Sequence, residues 1–418
     1  MKAERNWAAN LRYGAERIAR PRTPDELRQT LMAGGPVRAL GSRHSFNDIA
    51  DTTGTLISLA DMPRDIDVSA ETVRVSAGVR YGDLAPVLEQ HGRALANLAS
   101  LPHISVAGAV ATGTHGSGDR VPSLAAAVRS VTLLTASGDE VTLSRGDVDF
   151  GGASVNLGSL GVVTALELDT EPTYRMTQEV FDGPRWDAIL AELDAVTALG
   201  DSVSIFTAWR DDESADAIWV KRRISSTSVG IDEALLTGLG ARPADGPRHP
   251  ITGVDPAACN PQGGEAGAWF ERLPHFRMEH TPSVGAELQS EFLVAREHGA
   301  AAIAAVRSIA STIAPLLHVC EIRTVAADDT WLGPSSGRDS VALHFTWHPD
   351  EPGVRAVLAE LERALAPLGA RPHWGKVFVR AGREIRDLYP RFDDFRALRD
   401  RLDPDGRFRN AFSRRIGL

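Results

Sequence analysis

One turn near the start of the chain limits the fold more than any other feature. The apolar run of residues 37–40 predicts a strand, and it leads directly into Gly-Ser-Arg-His-Ser-Phe-Asn at residues 41–47. Gly41 is free to adopt φ > 0, a conformation in which successive backbone N–H groups converge on an anion. Two serines add hydroxyl donors, and the turn contains no Asp or Glu. It therefore predicts a phosphate site, with a surface turn around a solvated His44 as an equal alternative.

Composition narrows the class of protein. The chain has 418 residues, 43% hydrophobic and 24% charged, which predicts a soluble globular protein of two domains. The formal net charge is −10, which argues against the basic face that nucleic acids or anionic membranes require. The sequence contains no run of 18 apolar residues, so no transmembrane helix is predicted. The N-terminal residues lack the apolar segment of a secretory signal, and the chain has only two cysteines. Both observations favour a reducing, cytoplasmic location.

Local patterns predict alternating helices and strands. Up to residue 171 we expect helices at 24–33 and 81–90, strands at 37–40, 55–59, 72–77 and 161–169, and a hairpin over 128–144. Beyond it we expect strands at 202–209, 217–224, 286–294, 318–325 and 340–347, with helices at 296–317 and 354–368. The Gly- and Pro-rich loop of residues 238–267 is typical of a lid or a mobile excursion.

The segment of residues 94–118 contains no Asp, Glu, Lys or Arg, yet it is not continuously apolar. Hydroxyl residues and histidines stand among its Gly and Ala residues. This composition indicates burial against a polar but neutral surface such as a cofactor backbone, and a flexible linker is the weaker alternative. No Gly-x-Gly-x-x-Gly opens a helix and no Gly-x-x-x-x-Gly-Lys-Ser/Thr occurs, so neither a Rossmann site nor a P-loop is indicated.

Three strands of the second domain carry polar residues at alternate positions. Because successive strand side chains point to opposite faces, each set shares one face. The commonest explanation is the solvent face of a half-buried sheet, but such a face usually carries Lys and Glu. This mixture of amide, carboxylate, guanidinium, imidazole and hydroxyl groups suits a hydroxyl-rich ligand. The sets are Gln289 between Glu287 and Glu291, Glu321 with Arg323, and His344 with Thr346.

Lys376 stands between Trp374 and Phe378. It either extends to the surface along its apolar stem, or it is desolvated, with a pKa below its ordinary value of about 10.4. Nothing local decides between the two. His275 and His280 lack a metal-binding pattern, so zinc is not predicted, and no Gly-x-Ser-x-Gly elbow indicates a hydrolase.

Three motifs together resemble the vanillyl-alcohol-oxidase superfamily of FAD enzymes. They are Gly-Ser-x-His-Ser at residues 41–45, Gly-Thr-His-Gly at 113–116 and His-Trp-x-Lys at 373–376. Two branches carry the last motif, the aldonolactone oxidoreductases and the alditol oxidases. Further segments resemble the alditol oxidase branch, and the resemblance covers essentially the whole chain; these are residues 100–108, 285–291, 320–328 and 344–347.

The resemblance implies an α+β fold: a PCMH-type FAD-binding domain (1–171), an α/β substrate-binding cap (172–376) and a C-terminal segment (377–418) returning to the FAD domain. It implies FAD joined covalently to His44 through the 8α-methyl group of the isoalloxazine. Position 43 is more often Gly in the family, and we expect the turn to tolerate Arg43, with its side chain reaching a phosphate or solvent. The residues expected to hold FAD are Gly41, Ser42, Arg43, His44, Ser45, Ser105, Val110, Gly113, Ser117, Gly118, Val162 and His373.

The resemblance also implies an activity, namely oxidation of the terminal primary alcohol of alditols such as xylitol or sorbitol. Hydride would pass to flavin N5, and dioxygen would give hydrogen peroxide. The catalytic candidates are Lys376 and Arg323. The alternatives are an oxidase or dehydrogenase of gulono- or galactono-1,4-lactone, and a non-enzymatic sugar-binding protein or inert flavin-fold relic. A monomer without nucleic-acid or membrane partners is expected, and the polyol-binding candidates are Ser105, Gln289, Glu321, Arg323, His344, Thr346 and Lys376.

Overall fold

Residues 4–225, 230–280 and 287–418 are described by the computed structural model, and they form two lobes. The strands of the first lobe are β1 (Arg17–Ala19), β2 (Val37–Leu40), β3 (Thr55–Ser58), β4 (Ile66–Val68), β5 (Thr72–Ser76), β6 (Arg93–Ala94), β7 (Val128–Leu134), β8 (Glu140–Ser144), β9 (Val162–Asp169) and β10 (Glu171–Pro172). A parallel sheet has the order β1-β3-β2, and an antiparallel sheet has the order β4-β5-β9-β7-β8. Strand β6 pairs with β10.

The helices of the first lobe are α1 (Pro24–Met32), α2 (Tyr81–Gln90), α3 (Val106–Ala111) and α4 (Phe150–Ala153). The predicted start of α1 is confirmed, because the side chain of Thr23 accepts a hydrogen bond from the Glu26 N–H (3.2 Å). Gly34, at φ +84°, follows its end. The predicted bounds of β2 and α2 are also confirmed. Helix α3 lies inside the charge-free segment, where the sequence predicts no helix.

One antiparallel sheet dominates the second lobe. Its strands are β11 (Arg175–Asp182), β12 (Ser202–Thr207), β13 (Ala217–Ile224), β14 (Arg242–Pro243), β15 (Gly267–Ala268), β16 (Leu288–Ala295), β17 (Leu317–Val325), β18 (Ser340–Trp347) and β19 (Arg371–Pro372). Their order is β14-β11-β13-β12-β17-β18-β16-β19, and β15 also pairs with β11. The predicted bounds of β13 and β18 are confirmed, whereas residue 286, the predicted start of β16, lies outside the described residues.

The helices of this lobe are α5 (Trp186–Ala191), α6 (Leu193–Thr197), α7 (Glu233–Gly238), α8 (Gly299–Ser308), α9 (Ala310–Ile313) and α10 (Glu351–Leu365). The prediction of one helix over residues 296–317 is wrong, because the segment bends by 61° after Ser308. The β-branched residues around Ile309 disfavour a helix, and Pro315 removes a backbone donor. Among the described residues, no single helix is long and apolar enough to span a membrane. The two helical parts on either side of this bend, residues 296–308 and 310–316, meet that test only when they are taken together.

The C-terminal tail carries α11 (Arg383–Arg386), α12 (Phe392–Leu402) and α13 (Ala411–Ile416), and part of it packs into the first lobe. Phe408 is fully buried in a cluster with Leu27, Val37 and Val162. The buried Arg38 guanidinium donates hydrogen bonds to backbone carbonyls from three parts of the chain: Ile49, Leu157 (2.6 Å), Gly158 (2.9 Å) and Phe408 (2.8 Å). The tail therefore completes the core of the first lobe.

Candidate active site

A cavity of about 670 Å³ lies between the two lobes, within the roughly 300–1,000 Å³ of typical ligand sites. The first lobe contributes residues 41–46 of the His44 turn and much of the charge-free segment, including Ser105 and His115. The second lobe contributes the polar strand residues, and the segment of residues 373–376 contributes His373 and Lys376. His249, Pro250 and Ile251 of the Gly- and Pro-rich loop also line it, and the role of this loop as a lid stays a prediction. The structure thus brings all four predicted site components to one cavity.

The His44 turn departs from the prediction in its backbone. Gly41 does not have positive φ, whereas Arg43 does, at +66°. The Arg43 guanidinium forms an ion pair with the Glu4 carboxylate, and its side chain is 38% exposed, so it reaches solvent as expected. Contact of Arg43 with a phosphate stays a prediction. The Arg43 carbonyl accepts a hydrogen bond from the Trp7 N–H (2.9 Å), which holds the turn against the N-terminal segment.

Gly41 is needed for space rather than for its backbone angle. A Cβ atom at Gly41 would lie 3.0 Å from the Ser105 hydroxyl oxygen, and one at Gly108 would lie 2.8 Å from the same atom. The buried Ser105 hydroxyl has no hydrogen-bond partner in the described part of the chain. The Ser105 N–H donates to the Ser42 hydroxyl (3.2 Å), which joins the turn to the charge-free segment. Two glycines therefore shape a niche in which the Ser105 hydroxyl remains available to a ligand.

The backbone of the turn is also available to an anion. Between Ser42 and Ser45, the four amide N–H groups have no acceptor among the residues that the structure describes. Consecutive amides of this kind form an anion-binding concavity. Together with the Ser105 niche and the size of the cavity, these amides fit a dinucleotide cofactor such as FAD.

His44 is held in position by an aromatic side chain. Its ring stacks on that of Trp7, with centroids 5.2 Å apart. Burial, together with smaller contributions from His103 and Arg80, lowers the pKa of His44 to about 4. The imidazole is therefore neutral at neutral pH, the state in which a ring nitrogen is nucleophilic.

The His44 turn is hydrogen-bonded to the segment that carries Lys376. The Phe46 N–H donates to the Gly375 carbonyl (2.7 Å). The Asn47 side chain donates to the carbonyls of Trp374 (2.8 Å) and Lys376 (2.7 Å). Two motifs more than 300 residues apart in sequence therefore form one rigid unit.

The polar strand residues line the cavity rather than the solvent, so the explanation of an exposed sheet face is wrong. The register places Glu291 opposite His344 and His344 opposite Glu321, in one row. The next row pairs Gln289 with Thr346. Except for the half-buried Gln289, these side chains are buried.

Glu291, to which the sequence analysis assigns no role, is the centre of the site. Its side chain is 1% exposed, and it accepts hydrogen bonds from Arg323 (2.7 Å) and Lys376 (2.7 Å). His115 Nε2 and His344 Nδ1 lie 3.3 and 3.5 Å from its two oxygens. Burial alone would raise the pKa of Glu291, but the two cations hold it well below its ordinary value. The carboxylate is therefore ionised and fixes the Arg323 and Lys376 side chains.

Lys376 is desolvated, which settles the alternative that the sequence leaves open. Burial lowers the pKa of Lys376, and Glu291 acts in the opposite direction. Its Nζ lies 2.5 Å from His344 Nδ1 and 2.7 Å from Glu291 Oε2. An amine with these two contacts has one further tetrahedral position for a ligand.

Two other histidines have hydrogen bonds that fix their tautomers. His373 Nδ1 accepts the Gly375 N–H (3.1 Å), so its proton is on Nε2. His344 Nδ1 faces the Lys376 amine, so its Nε2 donates to the Thr346 hydroxyl (3.3 Å). Burial lowers the pKa of His344 to about 4, with Lys376 adding to the effect, and burial also holds the pKa of His373 well below its ordinary value. Both rings are therefore neutral donors in the site.

Five residues expected to hold FAD do not line the cavity. Their cofactor role stays a prediction, and each has another structural setting. Val110 and Val162 are core residues, and Gly113, at φ +69°, follows α3. The Ser117 hydroxyl bonds to that of Ser202 (2.5 Å), and the Gly118 N–H donates to the Thr324 carbonyl (2.9 Å).

Several residues of the site are not predicted from the sequence, although for some of them a sequence pattern indicates a role. Glu291 follows the same alternate spacing that singles out Glu321 and Arg323. His115 lies in the Gly-Thr-His-Gly motif, and its contact with Glu291 is long-range. His275 is considered only as a metal ligand, whereas its Nε2 lies 2.8 Å from Glu321. Trp7 carries no local pattern that could identify it.

Comparisons with known proteins agree with this geometry. A family model described as FAD binding domain matches residues 15–144, and one described as D-arabinono-1,4-lactone oxidase matches residues 286–416. An alditol oxidase from Streptomyces sp. (strain IKD472 / FERM P-14339) is 49% identical over 414 residues, which cover 98% of this chain and 97% of the relative. An L-gulono-1,4-lactone dehydrogenase from Mycobacterium tuberculosis (strain ATCC 25618 / H37Rv) is 31% identical over 436 residues, covering 98% of each chain.

The fold itself recurs at low sequence identity. A crystal structure of cholesterol oxidase from B. sterolicum matches with a TM-score of 0.79 and 16% identity, covering 99% of this chain and 96% of that chain. Fold and site thus define an FAD-dependent oxidoreductase with a PCMH-type FAD-binding domain. The near full-length identity shows that the chain belongs to the alditol oxidase family, within the vanillyl-alcohol-oxidase superfamily.

The left-handed Arg43 yields a stability prediction. Arg43→Gly and Arg43→Ala both remove the ion pair with Glu4, but only glycine relieves the backbone at φ +66°. We expect Arg43→Gly to be more stable than Arg43→Ala by about 1 kcal/mol. Urea unfolding of the two purified variants measures the difference. Equal stabilities would show that the backbone of the turn is not strained.

Proposed function

We propose that the protein oxidises the terminal primary alcohol of alditols such as xylitol and sorbitol to aldoses, with release of hydrogen peroxide. One observation carries the proposal: a buried wall of alternating donors and acceptors surrounds the Glu291–Lys376 pair inside the cavity. A polyol needs such paired groups along its whole length. The alditol oxidase relative supports the same substrate class.

FAD, when bound, supplies the acceptor for the hydride that leaves the carbinol carbon. The residues that would hold it are the free amides between Ser42 and Ser45, the Ser105 hydroxyl and the Nε2–H of His373. We propose that His44 attaches the cofactor covalently. Its neutral ring, fixed by stacking on Trp7, supports this role.

Lys376 is the proposed base for the substrate hydroxyl. In its amine form it donates to Glu291 and to His344, and its lone pair occupies the remaining position, where it takes up the hydroxyl proton at Nζ. Burial lowers the pKa of Lys376, which favours the amine form that a base requires. The ammonium formed is then paired with the ionised Glu291, and its positive charge would stabilise negative charge on the reduced FAD.

Arg323 and Glu321 are proposed to bind the adjacent hydroxyl. Arg323 is fixed by Glu291, and its Nε lies 3.7 Å from Glu321 Oε2. Thr346 and Gln289 lie one row further along the sheet and suit more distant hydroxyls. Chain-length preference follows from how many hydroxyls find a partner, because an unpaired polar group in the site is costly.

Activity is tested by peroxide release from the purified protein with xylitol, sorbitol and gulono-1,4-lactone under identical conditions. We expect peroxide with both polyols and a much smaller signal with the lactone. A protein that responds to the lactone alone belongs to the lactone-oxidising branch in function, and Gln289 and Glu321 then lose their proposed roles. A colourless, inactive preparation would support the non-enzymatic alternative.

Covalent attachment is tested by denaturing the yellow holoprotein in acid and measuring flavin absorbance in the pellet. We expect the flavin to remain with the wild-type protein and to be released from His44→Ala. His103→Ala serves as the control, since His103 also lines the cavity but is given no role in attachment. Free flavin in the wild-type supernatant would contradict the proposal.

Lys376→Met removes the proposed base while retaining an apolar stem of similar length. We expect anaerobic flavin reduction by xylitol to slow by at least about 10²-fold, with flavin still bound. In Thr346→Val we expect weaker polyol binding, with the rate at saturation nearly unchanged. Stopped-flow absorbance separates the two effects, and an unimpaired limiting rate in Lys376→Met would remove this residue from the mechanism.

A further inference from the structure

Lys221 is a buried cation that the reaction described above does not use. It lies on β13, is 1% exposed, and faces the interior behind the wall of polar strand residues. Among the described residues it has no carboxylate within hydrogen-bond distance. Because burying an ammonium without a counter-ion is costly, Lys221 is a candidate for a functional role.

Three acceptors surround the Lys221 amine. They are the Leu273 carbonyl (2.5 Å), the Pro274 carbonyl (3.4 Å) and His275 Nδ1 (3.0 Å). An ammonium has three donors and no acceptor, so the three contacts use all of them. His275 is thus the one side chain through which Lys221 reaches the cavity in the described structure.

These contacts fix the tautomer of His275. Its Nε2 lies 2.8 Å from Glu321 Oε1, and an ionised carboxylate only accepts, so Nε2 must carry the proton. Nδ1 is then the acceptor of the Lys221 N–H. Phe206 and Trp219 pack edge-on against the ring, at centroid distances of 5.6 and 5.3 Å, and hold its plane.

His275 in turn orients the carboxylate of Glu321, which faces the cavity. Oε1 accepts from His275 Nε2 (2.8 Å) and from the Ser204 hydroxyl (2.7 Å). Both donors are on one oxygen, so the carboxylate cannot rotate without losing them. Oε2 faces Arg323 Nε at 3.7 Å and remains available to a ligand in the cavity.

We propose that Lys221 is a positioning residue for polyol binding, which fixes His275 as the Nε2–H tautomer so that Glu321 presents Oε2 to a substrate hydroxyl. The proposal rests on the proposed function, because Glu321 is assigned there to the substrate. It adds a third layer to the site: Lys221 orients His275, His275 orients Glu321, and Glu321 binds the substrate.

The charges around His275 support this order. Burial lowers the pKa of His275 to about 4, Lys221 and Arg323 lower it, and Glu321 acts in the opposite direction. Burial also lowers the pKa of Lys221 itself to about 7, with Arg323 acting in the same direction and Glu321 and Cys259 opposing it. Removal of the Lys221 charge therefore raises the pKa of His275 toward its ordinary value of about 6.5.

Lys221→Met in the holoenzyme is the first test. Because Glu321 binds a hydroxyl that does not react, we expect KM for xylitol to rise about tenfold or more. We expect the limiting rate of flavin reduction to change by less than about threefold. In the Glu321→Gln background, Lys221→Met should add less than about twofold to KM, since both changes act through one contact. Independent, multiplying effects would overturn the proposal.

A spectroscopic measurement distinguishes positioning from a structural role. Histidine-selective ¹⁵N NMR, assigned with His275→Gln, should show His275 as the neutral Nε2–H tautomer in the wild type at pH 6. In Lys221→Met it should titrate at least about one pH unit higher. Gln178→Met is the matched control, because Gln178 is fully buried beside Lys221 in the register of β11 and β13. An unchanged His275 signal in Lys221→Met would overturn the proposal.

The NMR result does not depend on which substrate the enzyme uses. If the wild type oxidises no polyol, the proposed function fails, while the tautomer of His275 is still tested. If Lys221→Met does not fold, Lys221→Gln replaces it, since its amide still donates to the backbone carbonyls. Wild-type KM together with a wild-type His275 titration in that variant would count against a positioning role.

Discussion

The site depends on one buried carboxylate. Glu291 lies at the junction of two strands and the segment of residues 373–376, and its two oxygens hold Arg323 and Lys376 at 2.7 Å each. Removal of one partner from such a buried pair typically costs about 3–5 kcal/mol, because the remaining charge is left uncompensated. The arrangement is therefore either complete or strongly destabilised. It gives a rigid group of alternating charges, which His115 and His344 contact at 3.3 and 3.5 Å.

Neither lobe contains the site alone. The first lobe supplies the turn of residues 41–47 with its free backbone amides and His44, and the second supplies the wall of polar strand residues. Asn47 and Phe46 join them through hydrogen bonds to the backbone around Lys376. Because these are main-chain contacts, the distance between His44 and Lys376 is set by the backbone and not by flexible side chains. This is the preorganisation that oxidation at a fixed cofactor requires.

The sequence predicts well what local physics determines. The Thr23 cap, the bounds of β2 and α2, and the shared faces of Glu321–Arg323 and His344–Thr346 all follow from short-range rules. The positive φ at Arg43 and the choice of Glu291 as the central carboxylate do not. Glu287 and Glu291 have the same spacing around Gln289, and only tertiary contacts from His115, Arg323 and Lys376 distinguish them. Lys221 likewise follows an apolar run with no sign that His275 lies beside it.

The tail that closes the first lobe has a consequence for biosynthesis. Val37 and Leu27 lie in one core cluster with Phe408, and Arg38 needs the Phe408 carbonyl as an acceptor. On the ribosome, the FAD-binding domain of residues 15–144 therefore emerges before Phe408 and lacks part of its own interior until Phe408 is translated. Until then its apolar surface stays exposed and needs protection from aggregation. Completion of the FAD-binding domain is consequently a late event in folding, although most of that domain precedes the second lobe in the sequence.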